Sequence, residues 1–226
     1  MKPKVIALLP MKGNSERVPK KNLKNFNGTP LYQIILNKLL ESKIIDEVIV
    51  NTDCPNITES IQSKYKEQVL VRDRPDSIRG DFVSMNKIIE NDLDNSNGDI
   101  YIQTHSTNPL LDVSSIDRAL NKMLEISTSN DSIFSVTKIQ TRFYDINGKA
   151  INHNPQELVR TQDLPPIFEE NSCFYIFTKN SFKQSGGKRI GLKPLMFEID
   201  KIEAIDIDNI EDFIIAEAVH KSRQSL

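Results

Sequence analysis

The chain has 226 residues, with 29 Lys and Arg against 31 Asp and Glu and a formal net charge of -2. That balance excludes a protein that coats nucleic acid or an anionic membrane, since either needs a large basic excess. Trp is absent and aromatics make up 7%, too few for single-stranded nucleic-acid stacking platforms, while 38% hydrophobic residues over this length suit one domain with an ample core.

Residues 5–9 (VIALL) predict a buried strand. The apolar run stops at Pro10, too short for a secretory signal, and no segment nears the ~18 apolar residues of a membrane span. Cys54 and Cys173 lie far apart and His105, His153 and His220 lack ligand spacing, so no zinc site is expected and the thiols read as reduced. A cytoplasmic protein is the expectation. Residues 30–43 place Leu31, Ile34, Ile35, Leu39 and Leu40 on one helical face, with Pro30 suited to a first turn. Strands follow at 47–51, 69–71 and 99–103. Helices are expected at 55–65, 83–94 and 113–126. The alternation predicts an α/β fold, Rossmann-like, with a mostly parallel sheet and helices on both faces.

The rhythm changes after 132–137. Asn147-Gly148 is a hairpin turn signal and the proline-bearing stretch 158–170 is irregular. Residues 138–170 therefore read as a small antiparallel excursion, a dimer arm or a lid, on a single domain spanning 1–226. Strand resumes at 171–178. The chain closes with a strand at 204–208 and a helix at 210–222, opened by Asn209 as cap with Asp212 three residues on.

Chemistry concentrates at the expected strand ends. The loop after the first strand carries Lys12, Arg17, Lys20, Lys21 and Lys24 against the lone acid Glu16. Gly13 and Asn14 suit backbone turns that aim amide N–H groups at an anion. A solvated basic loop is the alternative. Asp206 and Asp208 sit two apart, so in a strand both carboxylates emerge on one face, an arrangement Mg²⁺ accepts together with substrate phosphates. An ordinary exposed face followed by a helix cap would look the same. The polar run 103–109 closes a central strand and contains His105, a substrate contact, a base or a plain loop histidine. Asp53 ends another strand, and Arg72 and Arg74 another, with ion pairing and helix capping as the alternatives.

The segments MKGNSERVPKKNL, NTD, Arg74-Pro75, QTHSTNPLL, NSCFYIF and IDIDNIEDFIIAEA resemble, in order and spacing, the acylneuraminate cytidylyltransferases, the CMP-sialic acid synthetase family related to the ketodeoxyoctonate enzymes. The resemblance spans nearly the whole chain. It implies a nucleotidyltransferase fold, a homodimer, Mg²⁺, and transfer of CMP from CTP to the anomeric hydroxyl of a sugar acid with release of pyrophosphate. It further implies nucleotide and triphosphate contacts at Lys12, Gly13, Asn14, Ser15, Lys21, Asn22, Asp53 and Arg74, with Lys12 standing where arginine is common. Asp206 and Asp208 match the metal-binding aspartates. Lys12, Lys21 and that pair are the expected catalytic groups. The substrate side takes in Gln103, His105 and Tyr175. Glu169 occupies a position where sialate enzymes carry arginine, and Arg142 and Arg160 are the candidates to replace that charge. A nucleotide-sugar glycosyltransferase and a catalytically silent nucleotide-binding module are the alternatives.

Overall fold

The computed structural model describes residues 2–13, 15–126 and 129–224. In chain order these form β1 (Val5–Met11), β2 (Asn25–Phe26), β3 (Thr29–Pro30), α1 (Leu31–Glu41), β4 (Glu47–Thr52), α2 (Pro55–Tyr65), β5 (Leu70–Asp73), α3 (Met85–Asp94), β6 (Ile100–Thr104), α4 (Val113–Ile126), β7 (Ser132–Ile139), β8 (Ile167–Phe177), α5 (Lys179–Gln184), β9 (Pro194–Glu198) and α6 (Ile210–Gln224). The main sheet runs β5-β4-β1-β6-β8-β7-β9. The first four of these are mutually parallel. β8 opposes both of its neighbours, and β7 and β9 are again parallel.

Alternation along the strands divides the core. Val5, Ala7, Leu9, Val50, Ile102 and Ile176 face α1, α2 and α4, whose Ile35, Ile61 and Leu120 pack against them. Ile6, Leu8, Ile49, Tyr101, Tyr175 and Phe177 face the other way, against Ile89 and Leu93 of α3 and Phe182 of α5. Helices on both faces explain why β1 reads as an unbroken apolar run, buried throughout. α6 packs Phe213 and Ala216 onto Phe26, Leu31, Ile34 and Ile207.

The excursion lies between β7 and β8. Lengthened ends of those strands pair Val136 with Glu170 through Ile139 with Ile167, and Tyr144 bridges Ala150 across the expected turn. Residues 204–208 depart from expectation. They make no ladder, because β9 holds the edge of the sheet, and the Ile207 N–H donates to the Thr107 carbonyl (2.9 Å) instead. The inside-outside alternation survives: Ile207 is fully buried between two less buried aspartates.

Candidate functional site

β1, β4, β5 and β6 deliver their carboxyl ends to one edge of the sheet, where open α/β sheets bind ligands. A cavity of about 370 Å³ opens there, with Lys12, Ser15, Lys21, Asn22, Arg74 and His105 in its walls. Local chemistry fixes the loop after β1. The Gly13 N–H donates to Asp53 Oδ1 (2.8 Å). A Cβ at Gly13 would sit 2.8 Å from Cβ of Cys54, so this approach requires glycine. The Asn22 amide donates to the Lys12 carbonyl (2.8 Å) and accepts from the Ser106 hydroxyl (2.7 Å). Asp53 and Asn22 thus hold the loop's shape, and Lys12 projects to Asp81 (2.6 Å). Asn14 lies outside the described residues.

The two ends of the chain meet at the cavity. Lys21 Nζ donates to the Ile207 carbonyl (2.5 Å), which places its ammonium between the peptide neighbours Asp206 and Asp208. Arg17 pairs with Asp208 (2.6 Å). Burial lowers the pKa of Lys21, opposed by the fields of Asp206 and Asp208. Burial raises that of Asp206, with Thr107 hydrogen bonding opposing and Asp208 adding to the rise. A carboxylate whose proton affinity is raised by burial and by its neighbour, beside a lysine, suits a ligand combining a cation with anionic oxygens. Among the described residues no group of three or more His, Cys, Asp or Glu forms a metal cage.

Arg74 is 4% exposed. Its guanidinium donates to Asn51 Oδ1, the Asn51 carbonyl and the Met11 carbonyl, each at 2.9 Å, tying the ends of β1 and β4 together while it lines the cavity. His105 has a buried Nε2 with no hydrogen-bond partner among the described residues, as do Thr104 Oγ1 and Asn108 Oδ1 nearby in sequence. Buried groups of this kind bond to ordered water or to a ligand, and of the three residues His105 lines the cavity. The imidazole is pushed down to about 4 by burial, then by the positive fields of Arg189 and Lys21, and so stays neutral.

On the opposing-strand side, Gln103 and Tyr175 are cross-strand partners. Tyr175 donates to Glu170 Oε1, and Gln103 Oε1 accepts from Arg189 Nη1 (2.6 Å). Arg189 escaped sequence reasoning, since a single arginine between a Gly-Gly turn and a short strand carries no motif. Asp81, the partner of Lys12, was missed for the same reason. Glu169 is exposed on β8, paired in register with Thr137. Arg142 donates to the Val159 carbonyl and Arg160 pairs with Asp163 (2.7 Å). The contacts of both arginines lie inside the excursion.

A family described as cytidylyltransferase matches residues 6–224. The pseudaminic acid cytidylyltransferase of Campylobacter jejuni subsp. jejuni serotype O:2 is 26% identical over 96% of this chain and 97% of its own length. The N-acylneuraminate cytidylyltransferase B of Danio rerio is 29% identical over 93% of this chain and 50% of its own. Among solved structures, a CMP:2-keto-3-deoxy-manno-octonic acid synthetase complexed with CTP superposes with a TM-score of 0.71 at 13% identity, over 97% of this chain and 99% of that one. That likeness shows the shared fold, and the match over residues 6–224 shows that the chain belongs to the cytidylyltransferase family.

Proposed function

We propose that this protein transfers CMP from CTP to the anomeric hydroxyl of a 2-keto-3-deoxy sugar acid of the sialic-acid type, releasing pyrophosphate. The observation that carries this reading is the meeting of the basic loop with the acidic pair, Lys21 on the Ile207 carbonyl and Arg17 on Asp208. The sugar hydroxyl attacks the α-phosphorus in line and gives up its proton to solvent, the bond to the bridging oxygen breaks, and the pyrophosphate leaves with that electron pair. Lys12 and Lys21 stabilise the charge on the leaving group, and Ser15 flanks the phosphates, while the Gly13 N–H is spent on Asp53 and fixes the loop rather than meeting the anion. Arg74 and Asp53 shape the nucleotide side. Gln103, His105 and Tyr175 form the acceptor side.

The donor set fits Mg²⁺, a hard cation content with one or two carboxylates and substrate phosphates. Asp206 and Asp208 would hold it, with Arg17 yielding Asp208, and when bound it neutralises phosphate charge and orients the reacting oxygens. CTP as donor places the reaction in the cytoplasm, and the excursion serves as the arm of a homodimer.

The test is pyrophosphate release with CTP, Mg²⁺ and pseudaminate, N-acetylneuraminate, legionaminate or ketodeoxyoctonate, alongside UTP and ATP. Release with CTP and one acid, abolished by EDTA and by Asp208→Ala with an unchanged melting temperature, is the expected result. Turnover that survives Asp208→Ala would refute the metal assignment. Release of free nucleoside diphosphate from a nucleotide sugar would favour glycosyl transfer instead.

A further inference from the structure

Arg189 is half-buried and forms no ion pair among the described residues, whereas Arg17, Arg72, Arg79 and Arg160 each hold a carboxylate. Its guanidinium lies over the Tyr175 ring, 4.0 Å from the centroid. Among the described residues its guanidinium hydrogen-bonds to Gln103 Oε1, which uses one donor of a five-donor fork. The carboxylate whose field reaches Arg189, Glu170, makes no ion pair with it and is engaged by the Tyr175 hydroxyl, and the planar fork matches a further carboxylate bidentately.

The local backbone is shaped around this group. Residues five apart in a regular strand point to opposite faces about 16 Å apart. Yet the Tyr175 hydroxyl reaches the Glu170 carboxylate, because β8 bulges opposite Phe134 and Val136 with Ser172 at a φ of 57°. Left-handed non-glycine residues and bulges gather where a side chain must be re-aimed. The bulge engages Glu170 with Tyr175, and no ion pair closes between that carboxylate and Arg189 although its field reaches the guanidinium. The group borders the cavity without lining it: Tyr101 and Gln103 share one face of β6, which ends beside His105, and the field of Arg189 reaches that cavity-wall histidine.

We propose that Arg189, backed by Gln103 and Tyr175, binds the carboxylate of the acceptor sugar acid. This rests on the sugar-acid reading above and assigns to Arg189 the charge expected of Arg142 and Arg160.

The experiment compares wild type, Arg189→Met and Arg189→Lys with the acid that turns over and with its methyl ester, and measures CTP affinity by calorimetry without acceptor. Arg189→Met should raise KM for the acid roughly 10- to 100-fold, the scale of a charge-assisted hydrogen bond. It should collapse the preference for acid over ester and leave CTP affinity within about twofold of wild type, while Arg189→Lys recovers part of the preference. A merely structural arginine would lower both substrates together, leaving their ratio intact, and that result overturns the assignment. Loss of CTP affinity in step would move the guanidinium to a nucleotide phosphate and overturn it equally. If Arg189→Met does not fold, the acid-to-ester ratio of Arg189→Lys decides. Wild type silent with every acid refutes the sugar-acid reading itself and takes this assignment with it, whereas turnover with unaltered ratios refutes Arg189 alone.

Discussion

Asp92 shows burial outweighing pairing. It is fully buried, accepts from Asn51 Nδ2 (2.8 Å) and pairs with Arg72 (3.2 Å), yet its other oxygen has no hydrogen-bond partner among the described residues. Burial lifts its pKa from 3.8 to about 6, against the lowering pull of Asn51, Arg72 and Arg74. The sign follows. Below 3.8 the group is neutral in folded and unfolded chains alike; between 3.8 and about 6 the folded chain alone keeps the proton. The associated stability is therefore complete in acid and is lost as pH rises through 6, on the order of 3 kcal/mol. Asp92→Asn keeps an acceptor for Asn51, and Arg72 still donates to the carbonyls of Asn91, Asp92 and Asn95. Its melting temperature should gain on wild type as pH rises from 4 to 8; a difference independent of pH would refute the account. The same Asn51 steers Arg74, so this network sets one wall of the cavity. No sequence pattern announced it, because a buried aspartate in a helix reads like any surface one.

At the scale of elements, α6 is where sequence and function join. Asp212 Oδ2 accepts the N–H groups of Asp208 and Asn209 (both 3.0 Å), and Asn209 Oδ1 accepts that of Asp212 (2.9 Å). This is the cap that Asn209 and Asp212 promised, and it fixes the peptide carrying Asp208. Asp212→Ala should cost about 1 kcal/mol and raise the Mg²⁺ concentration for half-maximal pyrophosphate release, while Asn209→Ala lowers stability with a smaller change in Mg²⁺ demand. Equal shifts in both variants would mean that the cap supports the helix without aiming Asp208. The long periodic helices and buried strands were legible because both faces of the sheet impose a period. Short elements were not. β2 and β3 turn on Asn27-Gly28, with φ of 50° and 89°, a two-residue turn signal as good as Asn147-Gly148 and passed over for want of flanking strand length. At 204–208 the alternation was real, but a strand also needs a partner, and β9 (Pro194–Glu198) already held the edge. Arg189 was invisible because its meaning lies in a hydrogen bond to Gln103, more than eighty residues upstream, and in a bulge in β8.

The whole molecule leaves its apolar surface unevenly distributed. Ile146 is 100% exposed and Leu158 95%, and Tyr144, Ile151 and Phe168 on the same excursion are also exposed. Monomeric proteins seldom leave so many large apolar side chains on one projection, and the lengthened β7–β8 ribbon that carries them extends past the rest of the sheet. A ribbon of two strands is marginal alone, and covering these side chains with a second copy would remove them from water. The expected species is therefore a dimer, measurable as twice the chain mass by light scattering on a size-exclusion column. Ile146→Asp combined with Leu158→Asp should halve that mass, because two buried charges without partners cost more than the contact returns. CTP affinity should persist in the variant, since the basic loop and the acidic pair lie at the carboxyl ends of strands that the excursion does not supply. Wild type running as a monomer at its highest soluble concentration would refute the arm, and the exposed residues would then belong to a lid whose closure should quench a fluorophore on Leu158→Cys when both substrates bind.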